Sequence, residues 1–431
     1  MTEPTPTSGV AGIRHLDSIE TPAYVYDLDE MRRAHALLSA ALPRPSRLFY
    51  SLKANPHPAL VRALTRLGCC AEICSPGEVA ATREAGAPLH RALYTGPGKR
   101  DEEVAAAIEA GVRWFSVDSP AGLDQVSRAA QTAGVQASCL LRINDWAPAG
   151  GQGLTMSGVP SQFGADAEWV VSDPGSFSAR PAARLAGLHL YMGTNLSTVE
   201  SLVAQFARAI GTARRVADAL RLDPSMLDLG GGFGAPYARS GPLPRFAGLA
   251  AAVADLLDAS FPAWRAGSLL VAFESGRYLT ATCGSLLTRV VEVKRSHGRP
   301  VVILESGINH LGGMSGLRRL PPLVPEVQAG SSAGVLHRAI IAGPLCTPLD
   351  TWAHSADLSD VRVGEVVRVP NVGAYGLSAS LLAFLGHPAP REVVVDGGRI
   401  VEVSQVAVVR RRSVMSCRPD ERVDTRWTPS S

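Results

Sequence analysis

The chain has 431 residues, too many for one ordinary core, and a formal charge of +3, too small to mark a polyanionic partner, so nucleic acid and membrane surface are set aside. No apolar run approaches the roughly 20 residues that cross a bilayer, and the first twenty residues lack the basic-then-apolar order of a secretory leader, so a cytoplasmic protein is expected. Seven cysteines, an odd number without regular spacing, fit reduced thiols, and Cys69, Cys70 and Cys74 lack the pairing of a zinc site; they read as core packing, and no metal is expected.

Residues 1–26 read as a partly disordered N-terminal segment whose run Ala23, Val25 and Tyr26 supplies a strand to a later β domain. Over 27–277, short apolar runs alternate with amphipathic helical stretches, the βα rhythm of a parallel sheet. The strand candidates are Leu48–Lys53, Cys70–Cys74, Ala92–Thr95, Trp114–Val117, Ala137–Ile143, Ala186–Met192, Met226–Leu229 and Leu269–Phe273. Eight strands close a TIM-type (β/α)8 barrel. The stretch Ala147–Pro160, rich in glycine with proline, serine and threonine, reads as a mobile loop after the fifth strand. From 278 to 410 the rhythm changes to β-branched runs separated by turns (Leu287–Val293, Val301–Leu304, Ala339–Ile341, Val366–Val369, Glu392–Val395, Val401–Val408), which reads as an antiparallel β domain, and 411–431 as a disordered tail. The fold class is therefore α/β: a barrel plus a C-terminal β domain.

Polar or glycine-rich residues follow nearly every barrel strand: Lys53, Ser75, Gly96, Asp118, Asn144, Gly193-Thr194, Gly230-Gly231-Gly232 and Glu274-Ser275-Gly276-Arg277. In this architecture the C-terminal strand ends build the active site. Lys53 ends the first barrel strand; an amine partly desolvated there can lose its proton near neutral pH and condense with an aldehyde, which points to Schiff-base chemistry. The three glycines after the seventh strand let backbone N–H groups approach a phosphate. Glu274 and Arg277, after the eighth, can hold a protonated ring nitrogen and clamp a phosphate, or simply pair at the rim. His189 and Tyr191, two apart, face the same way, so either ring can stack on a flat ligand, although His189 reads better as a packed, hydrogen-bonded residue. Cys346 and Asp350 bring a thiol and a carboxylate to a turn-rich loop of the second domain, and Tyr375 offers a phenol in another.

In this order, from about Thr21 to Val408, the segments resemble the fold-type III pyridoxal-phosphate decarboxylases, the family of diaminopimelate, ornithine and arginine decarboxylases. The resemblance implies that Lys53 binds pyridoxal 5'-phosphate covalently, that Thr194, Gly232, Gly276, Arg277 and Tyr375 bind its phosphate, and that Glu274 holds its pyridine nitrogen. It further implies that Arg142 lies near the phenolic oxygen and that Cys346 is the thiol that replaces the departing carboxylate by a proton. Tyr191 stands where most members carry a stacking histidine, and Glu72 stands for a usual aspartate.

Thr347 replaces the acidic residue that faces a distal ammonium in diaminopimelate and ornithine enzymes. A buried ammonium facing a neutral hydroxyl lacks a charge-assisted partner, costing on the order of 2–5 kcal/mol, so basic amino acids are disfavoured. The Arg-Pro-x-Leu-Tyr segment of diaminopimelate enzymes is also missing, and Ser306–Arg319 stands in its place. These departures resemble the aminoacyl-carrier-protein decarboxylase subgroup, which includes the glutamyl-carrier-protein enzyme of butirosin biosynthesis. The expected substrate is an aminoacyl group tethered to a carrier protein in specialised metabolism, with Asp350, Arg318 and His310 as substrate contacts and a homodimer whose copies share active sites. The alternatives are a free amino-acid decarboxylase such as diaminopimelate decarboxylase, a racemase, or a non-catalytic homologue that binds the cofactor.

Overall fold

The computed structural model describes residues 19–145, 160–312, 324–330 and 334–410. Arg318, residues 146–159, residues 1–18 and the tail 411–431, on all of which sequence expectations fall, lie outside them. The strands, in chain order, are β1 Ala23–Asp27, β2 Arg47–Ser51, β3 Cys70–Ile73, β4 Leu93–Tyr94, β5 Trp114–Val117, β6 Ala137–Asn144, β7 Ala165–Asp166, β8 Ala183–Leu190, β9 Met226–Asp228, β10 Leu270–Ser275, β11 Gly284–Ser296, β12 Arg299–Leu304, β13 Val335–Ala342, β14 Thr351–Ser359, β15 Val366–Val369, β16 Arg391–Asp396 and β17 Arg399–Gln405. Eight of them, in the order β5-β4-β3-β2-β10-β9-β8-β6, form a parallel sheet that the β5–β6 pairing closes into a barrel, with β7 beside β6.

Helices α1 Leu28–Ala41, α2 Pro58–Arg66, α3 Pro76–Glu84, α4 Asp101–Glu109, α5 Pro120–Thr132, α6 Ala167–Ser172, α7 Val199–Ala219 and α8 Leu249–Ser260 precede or follow these strands. Their starts are written locally. Ser75-Pro76 and Ser119-Pro120 place a hydroxyl acceptor just before a proline whose missing N–H costs nothing in the first turn, and each serine accepts from the backbone three residues on (Glu78 N, 3.2 Å; Gly122 N, 3.1 Å).

The barrel interior is built in two chemically different layers. Phe49, Cys70, Leu93, Leu140, Met226 and Ala272 pack together at the lower level with Trp114 and Leu270. Strand side chains alternate with period two, so the next inward residues are two places along: Ser51, Glu72, Thr95, Ser116, Arg142, His189, Asp228 and Glu274, all buried. An apolar floor thus carries a polar layer at the C-terminal ends of the strands. Cys70 belongs to the floor, and the six cysteines among the described residues are all free.

The second sheet has the order β14-β13-β12-β11-β1-β16-β17, with β15 on β11. Most of its pairings are antiparallel; β1–β16 and β12–β13 run parallel. Two strands are absent from the sequence reading: β14 (TWAHSADLS), whose side chains lack a run of β-branched residues, and the two-residue β7. β1 is central rather than peripheral, lying between β11 and β16, and every one of its residues is buried. Among the described residues no helix is long and apolar enough to cross a membrane.

Glu392, on β16, is buried and accepts the Tyr26 hydroxyl at 3.0 Å. Burial outweighs that hydrogen bond and, with Glu402 nearby, pushes its carboxyl up to about 7. The folded chain therefore keeps a proton that the unfolded chain releases above about 4.5, and stability falls as pH rises through that window. Glu392→Gln is expected to remove about 1–3 kcal/mol of this pH dependence. In thermal denaturation the variant's melting temperature should fall less than that of the parent between about pH 5 and about pH 8.

Candidate active site

Lys53 sits in a single 3-10 turn, Leu52–Ala54, directly after β2, so its backbone is fixed by the barrel while its side chain stays 38% exposed. Its Nζ lies 3.5 Å from Glu72, whose carboxylate is buried and also takes a hydrogen bond from the Thr95 hydroxyl. Burial alone would lower the pKa of the amine, but Glu72 and then Glu274 reverse this and leave it well above the ordinary lysine range. This corrects the expectation of an amine deprotonated by desolvation: without a ligand, the polar layer holds Lys53 as an ammonium. Glu72, named in the sequence only as a departure from the family pattern, is its charge partner.

A small cleft over this amine is lined by Ser51, Lys53, Tyr191, Thr194, Gly232, Phe233, Glu274, Ser275, Gly276, Arg277 and Tyr375. One side is a cradle for an anion. Gly232 has φ +103°, and a Cβ there would meet the Gly193 carbonyl oxygen at 2.6 Å. Gly276 packs so closely on the Lys53 turn that a Cβ would lie 2.6 Å from the Ala54 methyl. Arg277 opens the short helix α9 Arg277–Thr280, and its guanidinium lies over the rings of Tyr375 (4.8 Å) and Tyr237 (5.7 Å). It has no carboxylate partner among the described residues. Tyr375 itself is held at φ +53° by two hydrogen bonds, its N–H to the Ala54 carbonyl (2.7 Å) and the Tyr237 hydroxyl to its own carbonyl (2.7 Å).

The opposite wall is the polar layer. Glu274, buried, has an Oε1 without a hydrogen-bond partner, 3.2 Å from His189 Nε2. Burial would raise its pKa, yet His189 and Lys53 overcome that and keep it well below the usual carboxylate range. Tyr191 enters the cleft beside Lys53, whose Nζ lies 5.7 Å from its ring centre. Arg142 is buried on β6, next to His189 on β8, with its guanidinium over the Phe163 ring at 4.6 Å.

Lys53, Tyr191, Thr194, Gly232, Glu274, Gly276, Arg277 and Tyr375 are therefore brought together in one cleft. Cys346 is not among its lining residues; it is exposed on a loop of the β domain. Asp350 and His310, expected to contact substrate, are used otherwise within the chain. Asp350 is buried, and its two oxygens accept the N–H groups of Ile308 (2.7 Å) and Leu345 (2.8 Å), which pins the loop that carries Cys346. His310 donates from Nε2 to the Pro388 carbonyl (2.9 Å), contacts Ser306 through Nδ1 (3.1 Å), and burial pushes its pKa down to about 4. Both carry structural loads because backbone groups from other segments converge on them, a context that residue type does not reveal. His189 is packed and hydrogen-bonded to Ser116 (2.8 Å) as its sequence context suggests, but its other nitrogen faces the site, which sequence reading did not find. Neither did it single out Ser116 or Asp228. The signal was available: each lies two residues beyond an inward apolar position on its strand.

A barrel with a lysine at its mouth, a cradle suited to an anion at its last two strand ends and a buried carboxylate between them has the make-up of a lysine-based aldehyde-cofactor enzyme. Residues 28–281 match the family model described as pyridoxal-dependent decarboxylase, pyridoxal binding domain, and the chain belongs to that family. It is a pyridoxal-phosphate-dependent carboxy-lyase. It is 30% identical to the L-glutamyl-[BtrI acyl-carrier protein] decarboxylase of Niallia circulans over 388 residues, 88% of this chain and 90% of that one. It is 27% identical to the diaminopimelate decarboxylase of Zymomonas mobilis over 409 residues, 93% and 92% of the two chains. Among solved structures, diaminopimelate decarboxylase from Helicobacter pylori complexed with L-lysine superposes with a TM-score of 0.77, covering 90% of this chain and 94% of that one at 24% identity, a likeness of fold.

The residues present fit the cofactor: the glycine cradle and Arg277 suit a phosphate, and the unpartnered Glu274 Oε1 suits a protonated ring nitrogen. Gly232→Ala should weaken cofactor binding at least 10-fold in absorbance titrations, because a Cβ at φ +103° collides with the Gly193 carbonyl and forces this wall of the cleft to shift.

Proposed function

We propose that this enzyme removes the α-carboxylate of an amino acid presented on a carrier protein, a glutamyl-type thioester, rather than that of a free basic amino acid. The observation that carries this reading is Thr347, beside Cys346 on the loop pinned by Asp350: no acidic side chain stands there to meet a distal ammonium. The 30% identity to a carrier-protein decarboxylase over 88% of the chain supports it.

In this reading Lys53 would hold the cofactor's aldehyde carbon, Thr194, Gly232, Gly276, Arg277 and Tyr375 its phosphate, Glu274 its pyridine nitrogen, Arg142 the region of its phenolic oxygen, and the half-buried Tyr191 ring would lie against its face. When bound, pyridoxal phosphate supplies an electron-withdrawing ring that accepts the electrons of the bond to the departing carboxylate. The protein's share is to fix charge: an ionised Glu274 favours the protonated pyridine. As carbon dioxide leaves, a proton replaces it at the α-carbon, and the Cys346 thiol is its source.

Cys346 is exposed and outside the cleft of its own subunit, so a second copy of the chain brings it to Lys53, and the working unit is a homodimer with shared sites. Carbon dioxide release should be at least 10-fold faster from glutamyl-loaded carrier protein than from free diaminopimelate, ornithine or glutamate, a difference of about 1.4 kcal/mol or more in transition-state stabilisation. Faster turnover of free diaminopimelate would overturn the substrate reading. Lys53→Ala and Cys346→Ala proteins, each inactive alone, should regain roughly a quarter of parental activity when mixed and allowed to exchange subunits, since one of two sites in half of the dimers is intact. No recovery despite mass-spectrometric evidence of mixed dimers would count against shared sites.

A further inference from the structure

His189 is a buried residue of the polar layer to which the proposed chemistry gives no role. It is 1% exposed, at the centre of the barrel mouth. Nε2 lies 3.2 Å from Glu274 Oε1, and Nδ1 lies 2.8 Å from the Ser116 hydroxyl. The two atoms are close but neither makes a hydrogen bond, so this is a charge contact, and a hydrogen on Nε2 is what makes it attractive to an ionised carboxylate. The hydroxyl on the other side both donates and accepts, so the ring keeps its place whether it carries one proton or two.

Asp228, on β9 next to β8, closes the group. It is 0% exposed; Oδ1 accepts the Gly230 N–H at 2.9 Å, and Oδ2 has no hydrogen-bond partner. One donor atom from each of His189, Asp228 and Glu274 lies within 4.8 Å of the others. Two buried carboxylates this close cannot both ionise without a compensating charge. Burial, and then repulsion from Glu274, pushes Asp228 up to about 7, whereas Glu274 is driven the other way, chiefly by His189 against its own burial. The remaining charged groups that act on these three are Lys53 after β2, Glu72 on β3, Asp118 after β5 and Arg142 on β6.

We propose that His189 is the positioning residue that holds Glu274 as a carboxylate aimed at the pyridine nitrogen, so that the protein selects a cofactor protonated there. The inference rests on the reading that Glu274 faces that nitrogen. A histidine kept only for packing would need no acidic partner at the site, and an asparagine or serine would satisfy Ser116 equally well. Here the second nitrogen lies 3.2 Å from a buried oxygen of the carboxylate that lines the cleft, and the adjoining Asp228 holds back its own charge.

The test compares equilibrium binding of pyridoxal phosphate with that of its deaza analogue, which carries carbon in place of the ring nitrogen, to full-length protein stripped of cofactor. The parent should prefer the natural cofactor at least 10-fold. His189→Leu should reduce that preference about 10-fold while leaving deaza binding within about threefold, and His189→Gln, which keeps an N–H donor, should fall between. A His189→Leu or His189→Gln protein that weakens both ligands equally shows a merely structural residue and overturns the proposal. Should His189→Leu not fold, the intermediate preference of His189→Gln decides alone, and parental preference in that variant counts against the role. Glu274→Gln separates the two readings: loss of preference there, with none in the His189 variants, sinks the inference and leaves the site intact, whereas unchanged preference in Glu274→Gln sinks the site assignment and the inference together. A stoichiometric divalent metal in the purified protein, lost in His189→Gln, would also overturn it.

Discussion

The structure depends on keeping several charges out of water in one ring at the barrel mouth. Glu72, Asp228 and Glu274 are carboxyl groups with almost no exposure, and Arg142, His189 and the Lys53 amine are set among them. Isolated, each would be prohibitively costly to bury; together they are tolerable because neighbouring strands set basic groups beside carboxyl groups, His189 beside Asp228 and Lys53 beside Glu72. The apolar floor two residues below supplies the low-dielectric side that makes these couplings strong. The chemistry is thus a property of the ring as a whole, which is why Lys53 is held as an ammonium despite its desolvation.

Much of this was legible in the chain. The eight apolar runs are all barrel strands, because parallel strands covered on both faces must be continuously apolar and their ends must carry the polar residues. The glycines after β9 and the Glu274–Arg277 segment that ends β10 were readable because backbone approach to an anion constrains residue type so narrowly. What local pattern does not carry is anything that depends on distant neighbours. Asp350 and His310 were expected as substrate contacts, and within the chain two backbone N–H groups engage the one and the carbonyl of residue 388 the other. His189 showed the reverse failure, since its packed character was correct and its second contact, a carboxylate 85 positions later, was not inferable from local pattern.

The β domain contributes in a different manner. Its loop 343–350 is anchored by a buried carboxylate but leaves Cys346 outward, so the same chain supplies a rigid support and an unshielded thiol. A rigid loop suits a proton donor, whose efficiency depends on the distance to the receiving atom, and the inward anchoring of Asp350 is what leaves the outward side to the cysteine and Thr347. Specificity on this reading resides in one hydroxyl where a carboxylate would invite a basic substrate.

The central place of β1 bears on how the polypeptide is made. This strand is made well before its two flanking strands, β11 and β16, which begin at residues 284 and 391. The barrel sheet has all its strands once residue 275 is added, whereas the buried segment AYVYD still lacks β11 on one edge and β16 on the other. The two halves of the molecule therefore mature at different moments, and the nascent chain must shelter that segment until residue 391 and those after it have emerged.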